Sequence, residues 1–120
     1  MQRDMDLVRD ILKGLAESDE PLPASTFAGD AHSIEEVGYH MVIMDEAGLI
    51  KASRLGADGN PYYRVAALRM TWAGNDFLAS VRSGKTWEKV KRRIATGAGD
   101  AAFEVFAKVA ARACMDACGV

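Results

Sequence analysis

The sequence has 120 residues, of which 49% are hydrophobic and 27% are charged, a composition typical of one globular domain that folds without disulfides. Its charged start and short apolar runs argue against a secretion signal or a membrane span, so we expect a cytoplasmic protein without membrane association. The net charge of −2 excludes a uniformly basic nucleic-acid-binding chain. The charge is nonetheless uneven, with 3 basic and 11 acidic residues in 1–50 but 10 basic and 3 acidic residues in 51–95.

The first half of the chain predicts two helices separated by a short strand. A helix over 4–17 is indicated by apolar residues that recur at helical spacing. These residues are Met5, Val8, Leu12 and Leu15. Two prolines then end the helix, and the small and β-prone residues of 24–29 predict a short strand. Ser33 and Glu36 form a capping-box pattern at the start of a second helix over 33–47.

The second half predicts a β-hairpin and three further helices. The hairpin runs from about 49 to 70 and turns at Asp58-Gly59 and Asn60-Pro61. Helices follow over 71–81, 86–95 and 101–117. We expect the first to bury some combination of Trp72, Phe77, Leu78 and Val81, the second to bury Trp87, Val90 and Ile94, and the third to be led by Phe103, Phe106, Val109 and Ala110.

This element order predicts an α+β, winged-helix-like domain over 1–120, made of helix, short strand, helix and β-hairpin wing, with a C-terminal helical extension over 84–120. Residues 19–32 contain two prolines and no helical period, which leaves little room for the supporting helix of a helix-turn-helix. We therefore expect that motif to be degraded or replaced by a strand. The alanine-rich last helix suits either a homodimer contact or packing onto the domain's own core.

The helix over 33–47 stands where the reading helix of such a domain would be, but it carries four carboxylates and neither lysine nor arginine. Carboxylates repel the phosphate backbone that supplies most of the affinity for DNA, so we expect a poor major-groove reader. Basic residues lie instead in the hairpin and in a later helix. The candidate DNA-binding residues are Lys51, Arg54, Arg64, Lys85, Lys89, Arg92 and Arg93. The alternative is that these cations form an ordinary solvated surface.

Four aromatic or imidazole side chains are candidates for surface contacts with a partner. They are Tyr39, His40, Tyr62 and Tyr63. His40 could instead be a structural histidine that packs against the first helix with its hydrogen bonds satisfied. Cys114 and Cys118 are interpreted as two reduced thiols, and we predict no metal site and no cofactor.

The catalytic motifs that the sequence would need for an enzyme are missing, so we expect a non-enzymatic protein. The segment RSGKTWEK contains GKT without the earlier glycine that a phosphate-binding loop requires. No Ser-His-Asp order, paired-carboxylate cleft or metal-ligand spacing stands out.

Several segments resemble a bacterial and phage family known as domain of unknown function 2513. They are RDMDLVRDIL near the start, YHMVIMDEAGLIKA in the middle, LRMTWAGNDFLASVR after it and AAFEVFAKVAARACMDACGV at the end. The resemblance implies a winged-helix type of fold and a cytoplasmic, often prophage-associated protein. It implies no activity, because the family has none assigned.

Two functions follow as hypotheses. The first is a DNA-binding transcriptional regulator that contacts double-stranded DNA through its wing and basic helix, as a homodimer. The second is a protein–protein interaction module of prophage origin, in which the acidic first half and the basic middle are complementary to a partner or to a second copy. The acidic would-be reading helix fits the second hypothesis better than the first.

Overall fold

The computed structural model describes residues 1–54, 60–97 and 102–119. Within these ranges the chain forms five α-helices and a three-stranded antiparallel sheet, which is a mixed α+β architecture. In chain order the elements are α1 (Met5–Ala16), β1 (Leu22–Pro23), a 3-10 turn (Ala24–Thr26), α2 (Ile34–Glu46), β2 (Ile50–Arg54), β3 (Val65–Met70), α3 (Trp72–Val81), α4 (Gly84–Gly97) and α5 (Phe103–Cys118). They divide into two compact units, Met1–Asn75 and Asp76–Val120.

Local capping chemistry sets the starts of the first two helices. The Asp4 carboxylate accepts hydrogen bonds from the backbone N–H groups of Asp6 and Leu7, which lie in the first turn of α1. Ser33 Oγ accepts from the N–H of Glu36 at 3.1 Å, as half of the predicted capping box. The other half does not form, because the Glu36 carboxylate lies 2.7 Å from the His32 ring instead.

The core of the first unit contains one face of α1, one face of α2 and the inner face of the sheet. Its fully buried side chains include Leu7, Val8, Ile11, Leu12, Val37, Met41, Met44 and Ile50. The predicted apolar periodicity of the first helix is therefore confirmed. Burying such side chains is worth about 1.5–3 kcal/mol each before conformational entropy is subtracted.

The strand predicted over 24–29 is wrong in position. The strand lies at Leu22–Pro23, and Ala24–Thr26 form a 3-10 turn. Pro23 has φ −70° and ψ 159°, and this extended backbone pairs with Ala66 of β3. Proline lacks an N–H group, so it suits an edge strand, and the order β1-β3-β2 places it at an edge.

The hairpin pairs β2 with β3 and contains a register shift. Lys51 is paired with Arg69, whereas Ala52 is paired with Ala67, so Leu68 has no partner on β2. An extra residue of this kind is a β-bulge, which reverses the in–out alternation of the strand beyond it. The predicted hairpin is present; its Asp58-Gly59 turn lies outside the described residues.

The second unit contains most of α3 together with α4 and α5. Phe77, Leu78, Val81, Trp87, Val90, Ile94, Phe106 and Ala110 are buried, as their periodicity predicted. Trp87 lies 5.9 Å from Phe106, and Phe77 lies 4.9 Å from Phe103, both measured between ring centroids.

Among the described helices, none combines the length and the apolar character that a bilayer crossing requires.

Candidate nucleic-acid interface

Two exposed cations face each other on the hairpin. Lys51 of β2 and Arg69 of β3 are cross-strand partners, and both are exposed. Val65 and Ala67 are buried, so simple alternation would turn residue 69 inward, but the bulge at Leu68 turns it outward. Like charges directly opposite each other destabilise a strand pair. The pair therefore creates a local positive potential that an anion would relieve.

Two further cations lie toward the turn end of the same hairpin. Arg54 is the last residue of β2, and Arg64 immediately precedes β3; both are exposed. Lys51 and Arg54 are separated by about 10 Å along the strand, given its rise of about 3.3 Å per residue. We call Lys51, Arg54, Arg64 and Arg69 the hairpin cations. None of them forms an ion pair with another residue that the structure describes.

The carboxylate of Asp45 supports the bulge. The backbone N–H of Ala52, at the register shift, donates a hydrogen bond of 2.8 Å to Asp45 Oδ2 on α2. A bulge interrupts the strand-to-strand ladder, and a side-chain acceptor can replace a ladder partner. Asp45 therefore connects α2 to the part of the sheet that orients Arg69.

We expect Asp45→Ala to lower the free energy of unfolding by about 1–2 kcal/mol, because the Ala52 N–H loses a charged acceptor. Urea denaturation measures this loss. Glu46→Ala is the matched control, since Glu46 is the exposed neighbouring carboxylate and its replacement should change stability by less than about 0.5 kcal/mol. Equal stability of the two variants would show that the Asp45 contact contributes nothing.

The tyrosines lie where the hairpin contacts α2. The rings of Tyr39 and Tyr62 meet edge to face with 5.4 Å between their centroids, and both are half-buried. The Tyr62 carbonyl lies so close to Gly38 that a Cβ there would be only 2.0 Å from its oxygen. Tyr63 is 53% exposed and, with Arg64, borders a mostly apolar groove of about 250 Å³. Of these three tyrosines, only Tyr63 has a largely exposed side chain.

His40 is not on the surface, so its prediction as a surface contact is wrong. Its side chain is fully buried. Nδ1 lies 2.8 Å from the Glu36 carbonyl oxygen, and Nε2 accepts a 2.8 Å hydrogen bond from the backbone N–H of Asp4. A carbonyl only accepts, so the ring proton is on Nδ1. His40 thus joins α2 to the start of α1, as the structural alternative anticipated.

The four carboxylates of α2 do not form one acidic surface. Glu36 is engaged with the ring of His32, and Asp45 accepts from the hairpin. Glu35 is half-buried and Glu46 is exposed, and neither has a side-chain partner among the described residues. The charge that would repel DNA is therefore concentrated at the two ends of the helix.

The other predicted cations belong to the second unit. Lys85, Lys89, Arg92 and Arg93 are all exposed on α4, and their spacing of four, three and one residues places them along one side of the helix. Arg93 lies 3.7 Å from the Asp116 carboxylate, and Arg92 Nε donates to the Glu88 carbonyl at 3.5 Å. Arg93 of this cluster is thus engaged with a carboxylate of its own unit, whereas the hairpin cations form no ion pair with a described residue, and Arg69 Nη1 only donates to the Met70 carbonyl at 3.3 Å.

The two cysteines lie on α5 and are free thiols. Cys114 is half-buried, and desolvation raises the pKa of its thiol, with a further increase from the neighbouring Cys118. A raised pKa lowers the fraction of reactive thiolate. Within the described parts of the chain, no three His, Cys, Asp or Glu side chains form a group suited to a metal ion.

The family relationship is clear from sequence comparison. The model of the family described as "Hypothetical protein (DUF2513)" matches residues 2–100. The chain belongs to this family. The DUF2513 protein is also 31% identical to an uncharacterized protein of Haemophilus influenzae over 114 residues, which cover 92% of each chain. No solved structure matches it. The resemblance inferred from its segments is confirmed, while all of α5 lies beyond the residues that the family model matches.

Two residues of the DUF2513 protein that the motif search did not single out as site residues now stand beside the candidate interface. Arg69 was missed because a β-bulge depends on how two strands pair and produces no recognisable pattern in the sequence of either strand. Some combination of Trp72, Phe77, Leu78 and Val81 was expected to be buried; the other three are buried, and Trp72 is 85% exposed. Its exposure could have been predicted, because Trp72 precedes Phe77 by five residues and therefore lies about 140° around the helix from that side chain.

Proposed function

We propose that the DUF2513 protein is a non-enzymatic, cytoplasmic DNA-binding regulator whose hairpin cations contact the phosphate backbone. The observation that carries the proposal is the cross-strand pair of Lys51 and Arg69, two exposed like charges that face each other without a neutralising carboxylate among the described residues. Such a pair is unfavourable in the free protein and becomes favourable against a polyanion. Arg64 and Arg54 add positive charge toward the turn end of the hairpin, but Arg54 is paired with the buried Val65 and lies on the opposite face of β2 from Lys51.

A winged-helix-like assignment of the first unit is part of this proposal. Its support is the order helix, strand, 3-10 turn, helix, strand, strand, together with the sheet order β1-β3-β2. In this interpretation the 3-10 turn Ala24–Thr26 stands in place of the supporting helix, and β2 and β3 form the wing. A wing that supplies the phosphate contacts compensates for a helix that lacks cations.

The proposed contacts give sequence-tolerant binding. Phosphate contacts position a protein on DNA without reading bases, and α2 offers carboxylates where base-reading arginines or lysines are usual. Three phosphate contacts, from Lys51, Arg64 and Arg69, would give a slope of about −2.7 in log K against log salt, at about −0.9 per contact on duplex DNA. Binding should therefore weaken steeply as salt rises.

We expect Lys51→Ala and Arg69→Ala each to weaken binding to a random-sequence duplex and to reduce the salt slope by about 0.9. Fluorescence anisotropy across a salt series measures both quantities. Lys108→Ala is the control, because it removes one exposed cation from α5 and lowers the net charge equally. A combined Lys85→Ala and Lys89→Ala variant tests the α4 cations separately.

Absence of duplex binding at low salt would reject the proposal. Equal losses in Lys108→Ala and Lys51→Ala would show that net charge, and not the hairpin, determines binding. A loss confined to the α4 variant would move the DNA surface to the second unit.

A second candidate function is protein–protein interaction, which Glu35 and Glu46 favour, since neither carboxylate has a side-chain partner in the described parts of the chain. A homodimer through α5 belongs to the same class of proposal. Ala110 and Ala113 are buried, whereas Ala111 and Ala117 are exposed, so part of the alanine surface is open to a second copy. Sedimentation of the full chain would detect such a dimer directly.

A further inference from the structure

Trp72 is the most exposed large apolar side chain in the described parts of the chain. It is 85% exposed, compared with 66% for Met1 and 53% for Tyr63. Tryptophan normally buries most of its large surface, and an exposed indole is typical of a residue that meets a partner. The other tryptophan, Trp87, is only 2% exposed.

The backbone that carries Trp72 is held firmly. The N–H of Thr71 donates to the Leu49 carbonyl at 3.0 Å, and Thr71 Oγ1 donates to the Gly48 carbonyl. Thr71 Oγ1 also accepts from the N–H of Gly74 at 3.1 Å, which caps α3. Trp72 is therefore an exposed ring on a fixed helix start, and little backbone ordering is needed when it binds.

Trp72 lies close to the cross-strand cation pair. It follows Arg69 by three residues, so their Cα atoms are at most about 11 Å apart. Met70 is paired with Ile50, and Arg69 with Lys51, so the cation pair and the tryptophan lie at the same end of the hairpin. A nucleotide likewise combines a flat ring with an anion.

We propose that Trp72 stacks on an unpaired base of DNA whose backbone is held by Lys51 and Arg69. This inference rests on the proposed function and specifies the ligand, which is DNA with a single-stranded segment. The bases of an intact duplex are already stacked on one another, so an indole can stack only on a base that is unpaired. Base–aromatic stacking tolerates any sequence, as expected for a protein without a basic reading helix.

The surroundings of Trp72 favour a base over an apolar protein partner. Its neighbours Ala73 and Asn75 are small or polar and are exposed, whereas a protein hot spot is usually enclosed by other contacts that exclude water. The nearest exposed charges along β3 and β2 are cations. Trp72 follows Arg69 closely along the chain, although Leu68 is also exposed and the Asp76 carboxylate lies one turn further along α3. An exposed ring near cations is the combination found in the stacking platforms of single-strand-binding proteins.

The test compares three DNA molecules with the full-length protein: a random-sequence duplex, one of its strands alone, and the duplex with a single-stranded overhang. We expect the overhang and single-strand forms to bind more tightly than the duplex. Trp72→Ala should weaken these two forms by about 5- to 150-fold and leave duplex affinity unchanged, whereas Trp72→Phe should keep most of the affinity.

Intrinsic fluorescence gives an independent measurement. A stacked base should quench the solvent-exposed emission of Trp72, while the buried Trp87 is an internal reference. The quench should disappear in Trp72→Phe, whose fold is checked by circular dichroism. Equal affinity for duplex and overhang DNA, with no effect of Trp72→Ala, would overturn this inference and leave the proposed function intact. Failure of every DNA form to bind at low salt would overturn both.

Discussion

Gly38→Ala should lower the free energy of unfolding by about 2 kcal/mol, although alanine is the better helix former. In an ordinary helix interior, replacing glycine with alanine gains about 1 kcal/mol. In α2 the new Cβ would lie 2.0 Å from the Tyr62 carbonyl oxygen and 2.9 Å from its carbon. These are backbone atoms, so the clash is relieved only by moving the hairpin away from α2, and overpacking of this kind costs more than the helix propensity returns.

Chemical denaturation should compare the stability of Gly38→Ala with that of two further glycine variants. Gly74→Ala should behave like Gly38→Ala, because its Cβ would lie 2.0 Å from the Leu49 carbonyl oxygen. Gly84→Ala, at the start of α4, is the control: nothing lies within 4 Å of its Cβ, and we expect equal or higher stability. If all three variants were stabilised alike, the close approach of α2 to Tyr62 would be refuted.

His40→Ala should destabilise the protein by about 3 kcal/mol. The imidazole is fully buried and accepts from the Asp4 N–H at 2.8 Å, so its removal leaves a cavity and an unsatisfied donor at the start of α1. A buried unsatisfied donor costs about 1–3 kcal/mol, and the lost packing adds to that cost. Urea denaturation at neutral pH, followed by far-ultraviolet circular dichroism, measures the change.

The natural control for this prediction is His32→Ala. His32 is half-buried, and its ring Nδ1 lies 2.7 Å from Glu36 Oε1. A contact this close to the surface is worth at most about 1 kcal/mol. A loss in His40→Ala no larger than that in His32→Ala would mean that the Asp4–His40 hydrogen bond does not hold α1 against α2. Amide exchange at Asp4 would then be fast in both the parent and the variant.

Local chemistry explains which parts of the fold were predictable from the sequence. The start of α2 at Ser33 and the start of α3 after Thr71 are both set by a side-chain hydroxyl. Each hydroxyl accepts a hydrogen bond from a backbone N–H three residues later. The apolar stripe of α1 depends on periodicity alone. Both signals lie within a single turn or a few turns of helix, so they are visible without knowledge of tertiary structure.

Contacts between distant segments explain what the sequence did not reveal. His40 receives its hydrogen bond from Asp4, 36 residues earlier, and no spacing rule predicts such a pair. The outward direction of Arg69 depends on a bulge that exists only when β3 pairs with β2. The displaced β1 follows from Pro23 pairing with Ala66 at the edge of the sheet, and it begins two residues before the strand predicted from the small and β-prone residues of 24–29.

The two edges of the sheet have a consequence for how the protein behaves at high concentration. Unpaired strand edges invite strands from neighbouring molecules, and natural sheets block this with very short strands, proline or charge. β1 has two residues and includes Pro23, while β2 carries Lys51 and Arg54. The lysine and arginine thus also oppose intermolecular strand addition. Removing both should make the protein prone to aggregation, a tendency that light scattering would detect.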